Sequence, residues 1–135
     1  MKKAITRISV VLLIMAMLCP TVLAAEVSTA QPRYTYTYEI NAVLDISNGV
    51  AFGAASMVVH DNYSAKLICR LQQLKNGNWV TLKSWSAKDI DYVYASQEWA
   101  VASGYQYRLV VLGYTYDDNG NVIETVTCND YFDYS

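Results

Sequence analysis

Residues 34–135 are predicted to fold as an all-β domain, a single antiparallel β-sandwich of about seven strands. Three observations lead to this prediction. Apolar and polar residues alternate with a period of two in several runs of the chain. Asn-Gly and Ser-Gly pairs, which are typical of turns, separate these runs. Helical periodicity is absent after residue 24.

The first 24 residues have the pattern of a secretory signal peptide. Three basic residues precede a short apolar run, Ile8–Leu18, and a cleavage site follows at Ala24, with Ala25 as the alternative. The apolar run is too short to span a membrane. We therefore expect a secreted, extracellular protein in which residues 25–33 form a flexible leader.

The charge that remains after export is acidic. Loss of the three basic residues of the signal leaves 7 basic and 12 acidic residues, and the formal net charge changes from −2 to −5. Nucleic acids and anionic membranes select clusters of Lys and Arg. The composition therefore argues against a nucleic-acid partner, and no membrane span is expected in the mature chain.

Two cysteines stay in the mature chain, Cys69 and Cys128, because Cys19 lies within the signal. An even number of cysteines in an exported chain predicts a disulfide between them. Two buried free thiols are the alternative. A bridge across so long a loop would contribute roughly 4 kcal/mol of stability on the chain-entropy model.

The first hairpin is predicted from Tyr34–Ser47 and Val50–Val59, which flank Asn48-Gly49. Tyr, Thr and Ile alternate along the first run, as in a strand with one buried face. The second run is rich in Gly and Ala. Such small residues predict that another sheet approaches this strand closely.

A central β-hairpin is predicted over Tyr63–Trp85, with its turn at Lys75–Asn78. In the first arm, the face that carries Cys69 is apolar and the other face is largely polar, so the cysteine face should be the core face. Either face of the second arm is open to burial. The polar residues Thr81 and Lys83 on the other face favour Val80 and Leu82 as the buried pair.

The remaining runs complete the sandwich. Ser86–Asp91 is polar and is predicted to be a connection. Tyr92–Val101 alternates poorly, so a bulged strand and a long crossing both stay open for it. Tyr105–Tyr116 is predicted to be a strand, and Asn121–Tyr131 closes the chain after a turn.

Two stretches carry a resemblance to known folds. Residues 104–109 resemble the penultimate strand of immunoglobulin-like and fibronectin type III domains, which implies that Tyr107, or else Tyr105, is a tyrosine corner. The chain also resembles uncharacterised small secreted proteins of Gram-positive bacteria with such a sandwich, through Gly77-Asn78-Trp79, Ser84-Trp85 and the segment from Tyr116-Asp117 to Glu124-Thr125. The resemblance implies an immunoglobulin-like architecture and secretion, and it leaves the activity open.

No catalytic residue is predicted. His60 stands beside Asp61 and near Ser64, but adjacent loop residues rarely supply the geometry of a triad. The acidic residues contain no evident pair for a glycosidase. The oxygen-rich segment Asp117–Glu124 lacks the spacing of a calcium loop and is interpreted as a turn. No metal and no cofactor are expected.

The aromatic residues are the best indication of function. Trp79, Trp85 and Trp99 are candidate binding residues, because exposed Trp can stack on sugars or anchor a protein partner. Packing on the sheet is the alternative. We predict a secreted, non-enzymatic recognition or structural domain with a protein or carbohydrate partner. A small secreted hydrolase or toxin-like enzyme is the second hypothesis, and strand addition at Tyr34–Tyr38 is the third.

Overall fold

The computed structural model describes residues 33–135, and the predicted signal peptide, Cys19 and residues 25–32 of the leader lie outside this range. The described part confirms the predicted all-β sandwich. Seven strands form two antiparallel sheets: β1 (Thr37–Ser47), β2 (Val50–Val59), β3 (Ser64–Lys75), β4 (Asn78–Ile90), β5 (Tyr92–Ala100), β6 (Tyr105–Tyr116) and β7 (Val122–Tyr134). Over the same residues, no helix is long and apolar enough to cross a membrane.

The strand order places three strands in one sheet and four in the other. The three-stranded sheet has the order β1-β2-β5, and the four-stranded sheet has the order β4-β3-β6-β7. Every neighbouring pair is antiparallel. In constant-type immunoglobulin domains the fourth strand pairs with the fifth. Here β4 pairs with β3, so the chain changes sheets between β4 and β5.

The two Asn-Gly hairpins form at the predicted positions. Ser47 pairs with Val50, and Lys75 pairs with Asn78, so each loop contains two residues. The central residues all have positive φ, which a type I′ hairpin requires. They are Asn48 (51°), Gly49 (76°), Asn76 (52°) and Gly77 (79°).

The core lies between the two sheets and is made by alternate residues of the central strands. Leu67, Cys69 and Leu71 of β3 are buried, as the alternation in the sequence predicts. The neighbouring strand β6 buries Tyr107 and Leu109 in the same layer. The residues between these positions point to the outer face of the four-stranded sheet.

The second arm of the central hairpin differs from the prediction. Leu82 packs against the core as expected, but Val80 is 44% exposed and Trp85 packs inside. A bulge between Leu71 and Gln72, with Leu82 as the extra residue of β4, turns Trp85 inward opposite Cys69, and Val80 is exposed near the hairpin turn. One extra residue in a strand pair reverses the alternation beyond it, so residues on the two sides of the bulge follow opposite phases.

The segment predicted to be a polar connection is part of a strand. β4 continues to Ile90, and the chain crosses to the other sheet at Asp91, which has a φ of 66°. The Asp91 carboxylate accepts a hydrogen bond from the backbone N–H of Asn62 (2.6 Å), and its own N–H donates to the carbonyl of Tyr63 (3.1 Å). These bonds attach the corner to the β2–β3 loop, which allows β5 to begin at once.

The predicted close approach of the sheets occurs at Gly53. A Cβ atom at this position would lie 2.9 Å from Cη2 of Trp85 and 3.3 Å from Cδ1 of Leu109. Real Cβ atoms essentially never come as close to a neighbour as 2.9 Å. The absence of a side chain on β2 therefore makes the space that the Trp85 indole of β4 occupies.

Glu124 of β7 closes one edge of the sandwich. Its carboxylate accepts hydrogen bonds from the backbone N–H groups of Thr35 (2.7 Å), Tyr36 (3.1 Å) and Thr37 (2.8 Å). A side chain therefore satisfies donors that an edge strand would otherwise leave open. These bonds occupy backbone donors of the Tyr34–Tyr38 segment, which argues against strand addition there.

Two further side chains of β7 extend this closure. The Asp130 carboxylate accepts a hydrogen bond from the N–H of Leu44 (2.8 Å), in the middle of β1. The Tyr134 hydroxyl accepts one from the N–H of Gly49 (2.9 Å), in the β1–β2 turn. The last strand thus holds the first hairpin along most of its length, although β1 and β7 belong to different sheets.

The environment of Glu124 stabilises its charged form. Burial by itself raises the pKa of the carboxyl group. The hydrogen bonds from the Thr37 side chain and from the amides of Thr35, Tyr36 and Thr37 together outweigh burial, and they hold the pKa below its ordinary value of 4.5.

The contact at Gly53 is open to a double-mutant test. We expect Gly53→Ala to lower the free energy of unfolding by about 1–3 kcal/mol, because the new methyl group overpacks against Trp85. Trp85→Phe removes the atoms that it meets, so the alanine should cost much less in that background. Urea denaturation of the four proteins gives the coupling. An equal cost in both backgrounds would contradict this account of the contact.

The closure by Glu124 predicts a pH-dependent stability. Because the folded pKa is depressed, the carboxylate contributes stability fully above its unfolded pKa, and this contribution is lost as the pH falls through the folded pKa. We expect Glu124→Gln to cost about 1–2 kcal/mol at pH 7, since charge-assisted hydrogen bonds are lost.

The difference between wild type and Glu124→Gln should shrink steadily below about pH 4.5, the ordinary pKa. Glu98, exposed on β5, supplies the matched control Glu98→Gln, which we expect to change stability by less than about 0.5 kcal/mol. Denaturation curves measured from about pH 3 to about pH 7, which spans the titration of a carboxylate, test this expectation. Parallel curves for wild type and Glu124→Gln would be incompatible with the proposed role.

Candidate functional site

The outer face of the four-stranded sheet collects most of the positive charge of the domain. Four of the seven basic residues between positions 33 and 135 lie on it, and we call this surface the basic face. Its basic residues are Lys66 and Arg70 of β3, Lys88 of β4 and Arg108 of β6. They alternate with the buried residues of the same strands, so their side chains point away from the core.

One end of the basic face contains a like-charge pair. Lys66 and Lys88 are directly opposite each other in the β3–β4 register. Like charges at such positions destabilise a sheet. The partner of Lys66 on its other side is Tyr114, and the Lys88 ammonium lies 4.5 Å from the ring centroid of Tyr116. The neighbours of this pair are therefore aromatic rings, which do not neutralise its charge as a carboxylate would.

Arg70 continues the positive charge along β3. Its cross-strand partners are Ser84 of β4 and Val110 of β6, and neither is acidic. A shallow depression of about 200 Å³ lies beside it, between β3 and β4. The residues that line the depression are Lys66, Ile68, Ser84, Trp85 and Ser86. An ammonium group and two hydroxyl groups are therefore available to an anion that enters it.

The other end of the basic face holds Arg108 in a fixed position. Its guanidinium carbon lies 4.3 Å from the ring centroid of Trp79. Its Nε donates a hydrogen bond to Oε1 of Gln72 (2.7 Å), and Nε2 of Gln72 donates to the hydroxyl of Thr81 (3.0 Å). This ladder crosses three strands. Among the described residues it uses only Nε of the arginine, so the terminal nitrogens keep donors for a ligand.

Tyr131 completes the aromatic end of the face. It is directly opposite Arg108 in the β6–β7 register, and it is 59% exposed. Its ring centroid lies 6.2 Å from that of Trp79, with an interplanar angle of 66°. Trp79 and Tyr131 come from the two edge strands of the sheet, so their rings converge over its centre. An arginine that stacks on one aromatic ring and neighbours another in register offers both a charge and a flat apolar surface.

The three predicted tryptophans have different environments. Trp79 belongs to the basic face. Trp85 packs against the core, and its Nε1 is buried without a hydrogen-bond partner. Trp99 is 41% exposed at the end of β5, and the Lys83 ammonium lies 4.8 Å from its ring centroid. Of the three, Trp79 contacts Arg108 and Tyr131 on the basic face, and Trp85 reaches that face only in the lining of the depression.

Tyr107 is fully buried at the start of β6. Its hydroxyl donates a hydrogen bond to the carbonyl of Ala102, five residues upstream (2.5 Å), and accepts one from Nε2 of Gln73 (3.1 Å). A bond from a tyrosine back to the preceding corner is the geometry that defines a tyrosine corner. The side chain therefore connects the β5–β6 corner to β3.

The predicted disulfide between Cys69 and Cys128 is corrected by the structure, because both are free thiols. Cys69 pairs with Val111, and Val111 pairs with Cys128, so β6 lies between the two cysteines. Strands are about 4.8 Å apart, which puts the two Cα atoms roughly 10 Å apart. A disulfide requires less than about 7 Å. The alternation correctly placed Cys69 on the inner face, but it carried no information on the strand that lies between the two cysteines.

The other candidate polar groups have structural contacts. The His60 ring is stacked on Tyr38, with centroids 4.1 Å apart and planes 7° apart. The Asp117 carboxylate accepts hydrogen bonds from the N–H groups of Asn119 and Asn121 (2.9 Å each), and this closes the β6–β7 turn. Among residues 33–135, no group of three His, Cys, Asp or Glu side chains is placed to hold a metal ion.

Sequence reasoning missed most of the basic face. The polar positions of β3 show Lys66 and Arg70 on the face opposite Cys69, and that was a usable signal. Arg108 and Tyr131 had no such signal. Their proximity to Trp79 depends on the order β4-β3-β6-β7, which local patterns do not contain.

Comparison with known proteins adds little to this geometry. No protein-family model matches the chain, and no curated protein matches it in sequence. Among solved structures, Spo0M, a sporulation control protein from Bacillus subtilis, is similar with a TM-score of 0.33 and 8% identity. The match covers 73% of this chain and 48% of that one, so the chain spans about half the length of that protein. A likeness of this size assigns neither fold nor function.

The free thiols predict a distinct pattern of alkylation. Burial raises the pKa of Cys69 to about 12, so its thiol is protonated at neutral pH. Cys128 is partly exposed. We expect iodoacetamide to modify Cys128 in the native protein and Cys69 only after unfolding, as read by peptide mass spectrometry. An unreduced sample in which peptides of Cys69 and Cys128 are linked would refute the free-thiol assignment.

Proposed function

We propose that this chain is a secreted, non-enzymatic recognition domain that binds an acidic glycan through its basic face. Export is supported by the signal-peptide pattern of residues 1–24. The resemblance to small exported Gram-positive proteins with an immunoglobulin-like or fibronectin type III-like sandwich supports the same setting. The structural support comes from the side chains of the four-stranded sheet.

The Lys66–Lys88 pair is the observation that carries the proposal. A sheet gains nothing in stability from two ammonium groups in directly opposite positions. Their register partners in β6 and β4 do not include a carboxylate. An anionic ligand would relieve this repulsion, and the adjacent depression offers the hydroxyls of Ser84 and Ser86 as hydrogen-bond donors. The Tyr116 ring contacts one of the two ammonium groups but does not neutralise it, and this supports an anionic ligand for the pair.

The aromatic end favours a sugar over a simple anion. Arg108 is already held by Gln72 and Trp79, so little side-chain entropy is lost when it binds a carboxylate or sulfate group. The exposed Tyr131 offers an apolar ring to the face of a pyranose.

The distance between the two ends favours a polymer. From Gln72, beside Arg108, to Lys66 there are six residues of β3, or about 20 Å at the rise of an extended strand. A chain of several acidic sugar units can contact both ends at once. Two weak contacts joined in one ligand act as a stronger one.

Binding to heparin, a sulfated glycan, tests the proposal by titration calorimetry. We expect Lys66→Gln/Lys88→Gln to weaken binding at least about tenfold, which corresponds to about 1.4 kcal/mol. Arg33→Gln/Lys75→Gln removes the same charge from residues outside the basic face and should change the affinity less than about twofold, since distant exposed charges are screened. Because it removes a like-charge pair, the first variant should keep or slightly raise the free energy of unfolding.

Two comparisons identify the ligand class. Dextran, an uncharged glycan, should bind far more weakly than heparin. Single-stranded DNA, which has furanose sugars and bases in place of pyranose rings, should also bind more weakly. Equal losses in the two double variants would contradict the basic face as the site, and equal binding of DNA and heparin would contradict a glycan as its ligand.

A further inference from the structure

The outer face of the three-stranded sheet has the opposite charge, and we call it the acidic face. Strands β1, β2 and β5 contain no Lys or Arg at all. Their outward carboxylates are Glu39 and Asp45 of β1 and Glu98 of β5. Asp45 pairs with Phe52, and Phe52 pairs with Glu98, so an outward aromatic ring has an acidic residue on each side.

The acidic face also exposes apolar side chains. Val43 is 52% exposed, and Tyr92 and Tyr94 are 51% and 50% exposed. Small residues, Ala54 and Ser56, occupy the centre of the sheet between them. A low centre with aromatic and aliphatic groups around it leaves space for side chains of another surface.

We propose that the acidic face of one molecule binds the basic face of a second copy of this chain. The two faces are complementary in charge: Glu39, Asp45 and Glu98 on one side, and four basic residues with one carboxylate, Asp133, on the other. Both also present exposed aromatic rings. Complementary charge steers association and specifies which surfaces meet.

The position of the two faces determines the kind of assembly. They are the outer surfaces of the two layers of one sandwich, so each molecule can bind one copy above and another below. Such a contact joins different surfaces and is heterologous, and it produces open chains when the rotation between copies does not close a ring. A symmetric dimer would bring like charges together on either face.

The area of the acidic face indicates a weak contact. Three strands about 4.8 Å apart and about nine residues long cover roughly 400 Å². Stable interfaces bury about 800 Å² on each partner. The association should therefore be reversible, dependent on concentration and sensitive to salt. This inference uses the basic face of the proposed function, but it does not need the glycan, which would compete for the same face.

Sedimentation velocity of the purified protein tests the inference. We expect the weight-average sedimentation coefficient to rise with protein concentration at low salt, and to return to the monomer value at about 1 M salt, where the Debye length is about 3 Å. Heparin in excess should also return the protein to single copies. A monomer at every concentration at low salt would overturn the proposal.

Two charge-reversal variants show which surfaces meet. Asp45→Lys/Glu98→Lys blocks the acidic face, and Lys66→Glu/Arg70→Glu blocks the basic face. Each variant alone should be monomeric. An equimolar mixture should associate again, because the first supplies an intact basic face and the second an intact acidic face. A mixture that stays monomeric, or variants that still associate alone, would refute a contact between the two faces.

Two controls complete the design. Circular dichroism reports whether each variant is folded, and Asp45→Asn/Glu98→Gln with Lys66→Gln/Arg70→Gln are the milder pair if a reversal unfolds the protein. If the wild type stays monomeric but a variant without residues 25–33 associates, then the leader covers one of the two faces, and the proposal is wrong. Heparin binding by Asp45→Lys/Glu98→Lys tests the glycan site without self-association, so the two proposals fail separately.

Discussion

The hydrogen bonds between the Glu124 carboxylate and the start of the first strand are the interaction on which the sandwich depends. The two sheets share no strand, and no ladder joins β1 to β7. One charged side chain accepts from three consecutive residues, and Asp130 repeats the contact further along β1. The bonds hold β1 over the core. They also occupy edge donors that would otherwise pair with another chain.

The opposite edge is closed by different means. There the chain itself passes from one sheet to the other at Asp91, and the Lys83 ammonium contacts the Trp99 ring across the same edge. Between the two edges, Gly53 allows the Trp85 indole to enter the core. With the edges closed in this way, the broad outer faces of the sheets are the surfaces that remain for recognition.

Much of the fold could be predicted from the sequence, because the information is local. Alternation around Cys69 identifies the buried face of β3, and Asn48-Gly49 identifies a hairpin, since both depend on neighbouring residues alone. The errors arise where distant residues decide. The bulge at Leu71 reverses the phase of β4, so Trp85 turns inward. The disulfide fails for the same reason, because the strand that separates the cysteines is distant in sequence.

The candidate site shows the same limit in its electrostatics. The net charge of −5 for residues 25–135 is a sum over two faces of opposite sign. Partners respond to the local potential rather than to the sum, because screening confines exposed charges to a range of about 10 Å. An acidic composition therefore does not exclude an anionic ligand at the basic face. Composition does not contain the strand order, which places Lys66 and Glu98 in different sheets.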